Sequence, residues 1–254
     1  MTRVDLNADM GESFGSWTMG NDRALLDIVT SANIACGFHA GDPDVMADTM
    51  KAAVQRKVGI GAHPGLPDLQ GFGRREMAVD AKTLGNMVRY QLGAAMAMAA
   101  SAGGRVTHFK LHGALSHMAV ADEDIATACF RAVQEISPDI VIMVIASTGM
   151  QRAAERLNCN LAAEIFADRA YLDDGTLMGR SLPGSVIHDA ELAALRMREM
   201  VSEGAIITAT GARIPTKIDT ICVHGDTPEA IAIAQAVRDG LLMDGVRVAG
   251  LAEV

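Results

Sequence analysis

Six short apolar runs along the chain each end in ionisable side chains. In Asn33 to Pro43, Asn-Ile-Ala-Cys-Gly-Phe-His-Ala-Gly-Asp-Pro, a stretch suited to a buried strand delivers His39 and Asp42, and Pro43 then sits where proline favours a helix start. The same arrangement recurs in Val4 to Asp9, Val58 to His63, Thr107 to His112, Ala163 to Arg169 and Ile221 to Asp226. Folding alone gives no reason to end so many buried strands in charge. The pattern points to a shared functional edge.

Between the runs the apolar period shifts to that of a helix. Helices are expected over 22–30, 44–57, 80–102, 122–136, 150–157, from His188-Asp189 to Glu203, and from a cap at Thr227-Pro228-Glu229 to Leu242. In the second, Val45, Met46, Met50, Ala53 and Val54 share one face. Ile140 to Ala146 is the most apolar strand and ends only in Ser147-Thr148-Gly149, so it should form the quietest part of the edge. A hairpin across Thr210-Gly211 is expected within Ala205 to Ile214, and Val246 to Ala249 is a candidate eighth strand.

Strands alternating with helices of this length imply a mainly parallel sheet with right-handed crossovers. No Gly-x-Gly-x-x-Gly turn follows the first strand, which favours a closed barrel over an open dinucleotide-binding sheet. The expected architecture is α/β, one (β/α)7-type barrel domain over residues 1–254, with the carboxyl ends of the strands forming the active face.

Half of the 254 residues are hydrophobic but only 4% are aromatic, so the core must be built from Ala, Val, Ile, Leu and the sixteen Met. A net charge of −9 argues against a nucleic-acid partner, which would want a basic face. Cys36, Cys129, Cys159 and Cys222 have neither metal-finger spacing nor the density of a disulfide scaffold, so reduced thiols are expected. With no secretory signal and no apolar run near the ~18 residues of a membrane span, a cytoplasmic protein without a membrane partner is expected.

Asp5, Asn7 and Asp9 alternate along one strand and share a face. Inside a barrel, Asp5 and Asn7 could equally be hydrogen-bonded core, whereas Asp9 with Glu12 reads as functional. Asp42 is also a good helix cap before Pro43. His39 has no such excuse, and His63 before Pro64-Gly65 reads the same way, as a proton carrier near neutral pH. Lys110 and His112 flank Leu111 and point to one side, so Lys110 must find an anion: an ion pair with Asp5 or Asp9, a phosphate or an oxyanion. Arg74 and Arg75 follow Gly71-Phe72-Gly73, where backbone could approach an anion closely. Asp168 and Arg169 could be a structural salt bridge, and Asp226 a cap beside His224. Converging histidines and carboxylates could also hold a divalent metal, although no His-x-x-x-His or Cys-x-x-Cys spacing supports one. A Walker phosphate loop and a serine elbow are absent.

Asp5-Leu6-Asn7-x-Asp9-x-Gly11-Glu12-Ser13-Phe14-Gly15, Asn33 to Pro43, Ile60 to Gly65, Gly71 to Arg75, Lys110-x-His112-Gly113-Ala114-Leu115, Phe166-Ala167-Asp168-Arg169-x-Tyr171 and Cys222 to Asp226 together resemble the LamB/YcsF family over nearly the whole chain. The resemblance implies a barrel related to glycoside hydrolases and polysaccharide deacetylases. It also implies ATP-dependent 5-oxoprolinase chemistry, opening of the 5-oxoproline lactam to L-glutamate, in company with subunits B and C. Leu111 stands where the family usually has proline, and Ser116-His117 replaces a common Tyr-Asn, so a sister lactam is conceivable as substrate.

On this basis Asp9, His39, His63, Lys110 and His112 are the expected catalytic groups. Asn7, Glu12, Asp42, Arg74, Arg75, Asp168, Arg169, His224 and Asp226 are the expected contacts to substrate or phosphate. Two rivals remain at this point: metal-dependent amide hydrolysis or deacetylation without ATP, and a non-catalytic subunit that only binds the lactam.

Overall fold

Seven parallel strands close on themselves in a computed structural model that describes residues 2–225 and 228–251. The strands are β1 (Arg3–Met10), β2 (Ser31–Ala35), β3 (Gly59–His63), β4 (Val106–Phe109), β5 (Val141–Ile145), β6 (Leu161–Phe166), β7 (Ala205–Ile207), β8 (Arg213–Pro215), β9 (Thr220–Val223) and β10 (Arg247–Val248). The helices are α1 (Asp22–Leu26), α2 (Pro43–Arg56), α3 (Ala81–Ser101), α4 (Gly113–Ala121), α5 (Glu123–Gln134), α6 (Gly149–Arg156), α7 (Ala190–Glu203) and α8 (Ala230–Met243). The barrel runs β1-β2-β3-β4-β5-β6-β9 and returns to β1, where Asp5 to Ala8 pair with Thr220 to Val223. β10 is real but lies outside the closure. It pairs only with Arg3 and Val4, on the part of the β1 edge that β9 leaves open. β7 and β8 form the expected antiparallel hairpin.

Local chemistry sets the helix boundaries. Asp42 caps α2 by accepting from the Asp44 and Val45 N–H groups, with Pro43 in the first turn, and Lys57 ends it in the left-handed conformation. Asp80 and Asp189 cap α3 and α7 in the same way, and Gly204 at φ 62° stops α7. α1 is shorter than expected because the Thr30 N–H already donates to the Leu6 carbonyl, drawing the chain into the sheet. α4 was not expected at all. Its segment, Gly-Ala-Leu-Ser-His-Met-Ala-Val-Ala, is small or apolar almost all round and shows no amphipathic period, and its N-cap His112 makes no side-chain capping bond.

The barrel has two interiors. Between sheet and helices, Leu6, Met10, Ile34, Ile60, Phe109, Val144, Ile165 and Ile221 meet Met50, Leu92, Phe130, Met197 and Val237 in a continuous apolar layer. The lumen is polar instead. Asp5, Asn7, Asp9, Asn33, His108, Lys110, Glu164 and Thr220 are all buried there. Gly61 lies opposite His108 in the register, and a Cβ added to it would stand 2.1 Å from His108 Nε2. The absent side chain gives that imidazole its place inside the barrel.

Candidate active site

The polar lumen rises from β1 in three steps. At the first, Thr30, Ser31 and Thr220 hydroxyls donate to the Asp5 carboxyl at 2.7, 2.6 and 2.5 Å. Burial pushes that carboxyl up, and Asp5 is a hydrogen-bonded core group. At the second, Asn7 Nδ2 donates to Glu164 at 3.0 Å and to Thr220 Oγ1 at 2.7 Å, while its Oδ1 accepts from Asn33 at 2.7 Å. At the third, Asp9 Oδ1 accepts from Asn33 at 2.8 Å and Lys110 at 3.0 Å, and Oδ2 lies 3.4 Å from His63 Nε2. Asn7 therefore sets the ladder in register rather than reaching the mouth.

Lys110 Nζ sits 3.0 Å from Asp9, 2.9 Å from Glu164, 3.0 Å from Cys222 Sγ and 3.4 Å from Asn7 Oδ1, so four acceptors share its three N–H donors. Burial would strip its proton, but Asp9, Cys222 and Glu164 outweigh burial and hold its pKa well above the usual lysine value. Asp9 is the converse case. Burial opposes its charge, yet His63 and Lys110 keep the carboxyl well below the ordinary range. His108 is driven down to about 3 by burial and Lys110 and stays neutral, its Nε2 3.0 Å from Asn33 Oδ1.

Above this level three imidazoles and one carboxyl meet. His39 and His112 stack with centroids 3.6 Å apart, and His63 stands edge-on to both. His63 Nδ1 is 2.9 Å from the Lys110 carbonyl, His112 Nε2 is 2.8 Å from the Phe72 carbonyl, and the remaining nitrogens of the two rings are 3.0 Å apart. Glu12 Oε1 lies 3.6 Å from His39 Nε2 and 3.7 Å from His112 Nδ1. Burial and the neighbouring histidines push both His39 and His112 well below the usual imidazole value. The glycine-rich loop presses on these rings rather than on the cleft: a Cβ at Gly73 would stand 2.6 Å from His39 Cβ, and one at Gly65 2.6 Å from His39 Nδ1. Glu12, His39, His63 and His112 bring ligand atoms within 4.8 Å of one another, a buried set that could hold a divalent metal.

A cleft of about 260 Å³ opens over Asp9, His63, Lys110, His112 and His224 at the carboxyl ends of the strands. Its lining also includes Arg74, Arg180, His117 and the buried Arg169, and β5 contributes only the apolar wall of Ile145. The Arg169 guanidinium donates to the backbone carbonyls of Ser185 and Met178, and burial together with Arg180 lowers its pKa to about 10. Asp168 pairs with His224 at 2.8 Å rather than with its neighbour Arg169. Burial pushes the Asp168 carboxyl up, and His224 more than offsets this, leaving it below the ordinary range.

Two expected contacts are not gathered here. Arg75 is two-thirds exposed and pairs with Asp68. Asp42 caps α2 and also accepts from the Gly15 N–H at 2.7 Å. Asp226 lies outside the described residues. Conversely, Asn33, His108, Glu164, Cys222 and Arg180 join the site without having been proposed as site residues, and His117, noted only as a departure from the family pattern, lines the cleft. Glu164 was detectable as the one charge in the apolar strand Leu161–Phe166, but nothing in the sequence ties the distant Arg180 to this cleft.

The LamB/YcsF family pattern matches residues 4–254. The chain belongs to that family. It is 61% identical over 248 residues to a Ruegeria pomeroyi protein named as the A subunit of 5-oxoprolinase, with 98% of both chains covered. Among solved structures it is similar to the lactam utilization protein of Thermus thermophilus, with 41% identity, a TM-score of 0.93, and coverage of 98% of this chain and 100% of that one. A family 4 carbohydrate esterase of Streptomyces lividans aligns over 99% of this chain and 94% of its own with a TM-score of 0.51 and 9% identity. That likeness is one of fold, and it places the LamB/YcsF barrel beside the deacetylase barrels. No helix among the described residues is long and apolar enough to cross a membrane.

Proposed function

We propose that this chain is the A subunit of an ATP-dependent 5-oxoprolinase, opening the lactam of 5-oxoproline to L-glutamate together with subunits B and C. The observation that carries the proposal is one cleft lined both by a proton-transfer centre, Asp9 with His63 and His112, and by three arginines, Arg74, Arg169 and Arg180. The 61% identity to a protein named for that role supports it.

A five-membered lactam is a resonance-stabilised amide, and its opening is eased when a substituent on the carbonyl oxygen removes that resonance and makes the carbon more electrophilic. Transfer of a phosphoryl group from ATP to that oxygen does this. Arg74 and Arg180 suit both the phosphate and the substrate carboxylate, since a guanidinium offers paired donors to such oxygens, while Arg169, with two of its nitrogens held by Ser185 and Met178, adds positive charge. Lys110 already spends its donors on Asp9, Glu164 and Cys222, so it serves chiefly by keeping Asp9 ionised. Asp9 and His63 then take a proton from the attacking water, a histidine returns one to the ring nitrogen as the C–N bond breaks, and a second water hydrolyses the resulting γ-glutamyl phosphate to L-glutamate and inorganic phosphate. The chain carries no Walker loop, and the reading assigns nucleotide handling to the assembly with B and C. Cytoplasmic location belongs with this reading.

The test is glutamate release from 5-oxoproline and ATP by the chain mixed with purified B and C subunits. Release well above the partner-only control, lost with Lys110→Ala, is expected. Release no higher than that control, or a Lys110→Ala chain equal to wild type, overturns the proposal. A second reading, metal-dependent amide hydrolysis without ATP, draws on the Glu12, His39, His63 and His112 cluster. It requires turnover in the absence of nucleotide that a chelator abolishes.

A further inference from the structure

Two carbonyl oxygens fix the protons of the histidine cluster. A carbonyl only accepts, so His63 Nδ1, 2.9 Å from the Lys110 oxygen, and His112 Nε2, 2.8 Å from the Phe72 oxygen, must each carry hydrogen. Unless one of the two rings carries a second proton, the remaining nitrogens, His63 Nε2 and His112 Nδ1, face one another as lone pairs across 3.0 Å, with Asp9 Oδ2 3.4 Å from His63 Nε2. Two lone pairs at that distance repel unless a cation lies between or beside them. A third imidazole adds to the demand. His39 is wholly buried, and neither of its ring nitrogens has a hydrogen-bond partner among the described residues, so the desolvation of both goes uncompensated.

The fourth group supplies negative charge. Glu12 Oε1 lies 3.6 Å from His39 Nε2 and 3.7 Å from His112 Nδ1, and Glu12 is itself 7% exposed. We propose that Glu12, His39, His63 and His112 form a binding site for one divalent transition-metal ion. The donor set, three imidazoles and a carboxylate, suits zinc and its first-row neighbours rather than magnesium or calcium. The carbonyls behind His63 and His112 are the outer partners that orient metal-bound imidazoles. Gly65 and Gly73 keep the rings in place by offering no side chain against them, since a Cβ at either would meet His39 at 2.6 Å. A bound ion would bring Lewis acidity to the floor of the cleft, because His63 and His112 line it. The inference concerns metal binding alone and stands whether or not the lactam is the substrate.

A second group, Asp9, Cys222 and His224, also brings ligand atoms within 4.8 Å of one another. There Lys110 already occupies both Asp9 and the Cys222 sulfur, at 3.0 Å each. The ammonium fills the place of a metal, so the histidine cluster is the site.

The test uses the full-length chain, stripped with a chelator and titrated with Co²⁺ and Zn²⁺ by calorimetry, with total metal measured by plasma mass spectrometry before stripping. One equivalent per chain is expected. His39→Asn and Glu12→Gln should each weaken binding by more than about 100-fold, the upper end of what outer partners alone cost, while Cys222→Ser leaves it unchanged. X-ray absorption of the wild-type zinc-loaded chain needs no variant to fold, and it should show nitrogen and oxygen neighbours only. Three results overturn the proposal: no stoichiometric binding by the stripped wild type, unchanged affinity in folded His39→Asn, or a sulfur neighbour at about 2.3 Å. The first of these would leave a shared proton on the His63–His112 pair as the cation. Because every readout is metal binding, none depends on the ATP-driven reading of the cleft.

Discussion

Replacing Lys110 by Met removes a buried cation while keeping the apolar volume of its stem. Nζ lies 3.0 Å from Asp9 and 2.9 Å from Glu164. At an effective dielectric of about 20, each contact near 3 Å is worth roughly 5–6 kcal/mol of attraction, set against the desolvation of all three groups. The attraction is lost in the variant, while Asp9 and Glu164 stay buried at 6% and 1% exposure. Breaking a buried pair from one side costs about 3–5 kcal/mol, and both acidic groups lose this cation, Asp9 keeping His63 and Asn33 and Glu164 keeping Asn7. At roughly 2–4 °C per kcal/mol for a chain of this size, the midpoint should fall by about 6–20 °C. Differential scanning calorimetry at neutral pH reads the shift. Adding Glu164→Gln relieves one stranded carboxyl while keeping an acceptor for Asn7, so the double variant should melt above Lys110→Met alone. A single variant that melts with wild type, or a double variant no more stable than the single, would refute the electrostatic account of the lumen.

Two further outcomes follow from the same geometry. Gly61→Ala places a Cβ 2.1 Å from His108 Nε2, and this overpacking should cost about 1–3 kcal/mol in urea unfolding; the cost should largely vanish in a His108→Ser background, and an equal cost there would show that the clash is not with the imidazole. Asp168 has a folded pKa below its unfolded value, so the stability it gains from His224 is fully present above the ordinary 3.8 and is lost as pH falls through the lower folded value. The melting gap between wild type and Asp168→Asn should therefore be widest near neutrality and shrink toward about pH 3, and a gap that widens on acidification contradicts the pairing.

The strand ends were legible because a parallel barrel buries each strand and exposes its carboxyl end, so an apolar run closing on His63 or on Lys110-x-His112 announces both the strand and the edge. Side chains within the strands were harder to read. Asn33, His108 and Glu164 look like ordinary strand positions until closure puts β2, β4 and β6 around one lumen, and Cys222 read as a plain reduced thiol. Adjacent residues also part ways in three dimensions: Arg74 lines the cleft while Arg75 turns out to Asp68. Asp168 and Arg169 were open to reading as a local salt bridge, yet each finds a long-range partner instead, His224 in one case and loop carbonyls in the other. α4 escaped because its outward positions are mostly small or apolar like its buried Ala114, Leu115 and Ala119, so no helical period shows. His117 and Arg180 reach the cleft through loop and helix packing that no local pattern encodes.

The account centres on Asp9 as the group that removes a proton at the barrel mouth. Asp9→Asn preserves size and leaves Lys110 paired with Glu164, so the fold should survive, as a melting curve can verify. In the reconstituted reaction with subunits B and C, the account predicts glutamate formation reduced by about 10²–10⁴-fold, the usual worth of a positioned acid or base, with 5-oxoproline still bound in calorimetry. Glutamate formed at the wild-type rate by a folded Asp9→Asn chain would contradict it.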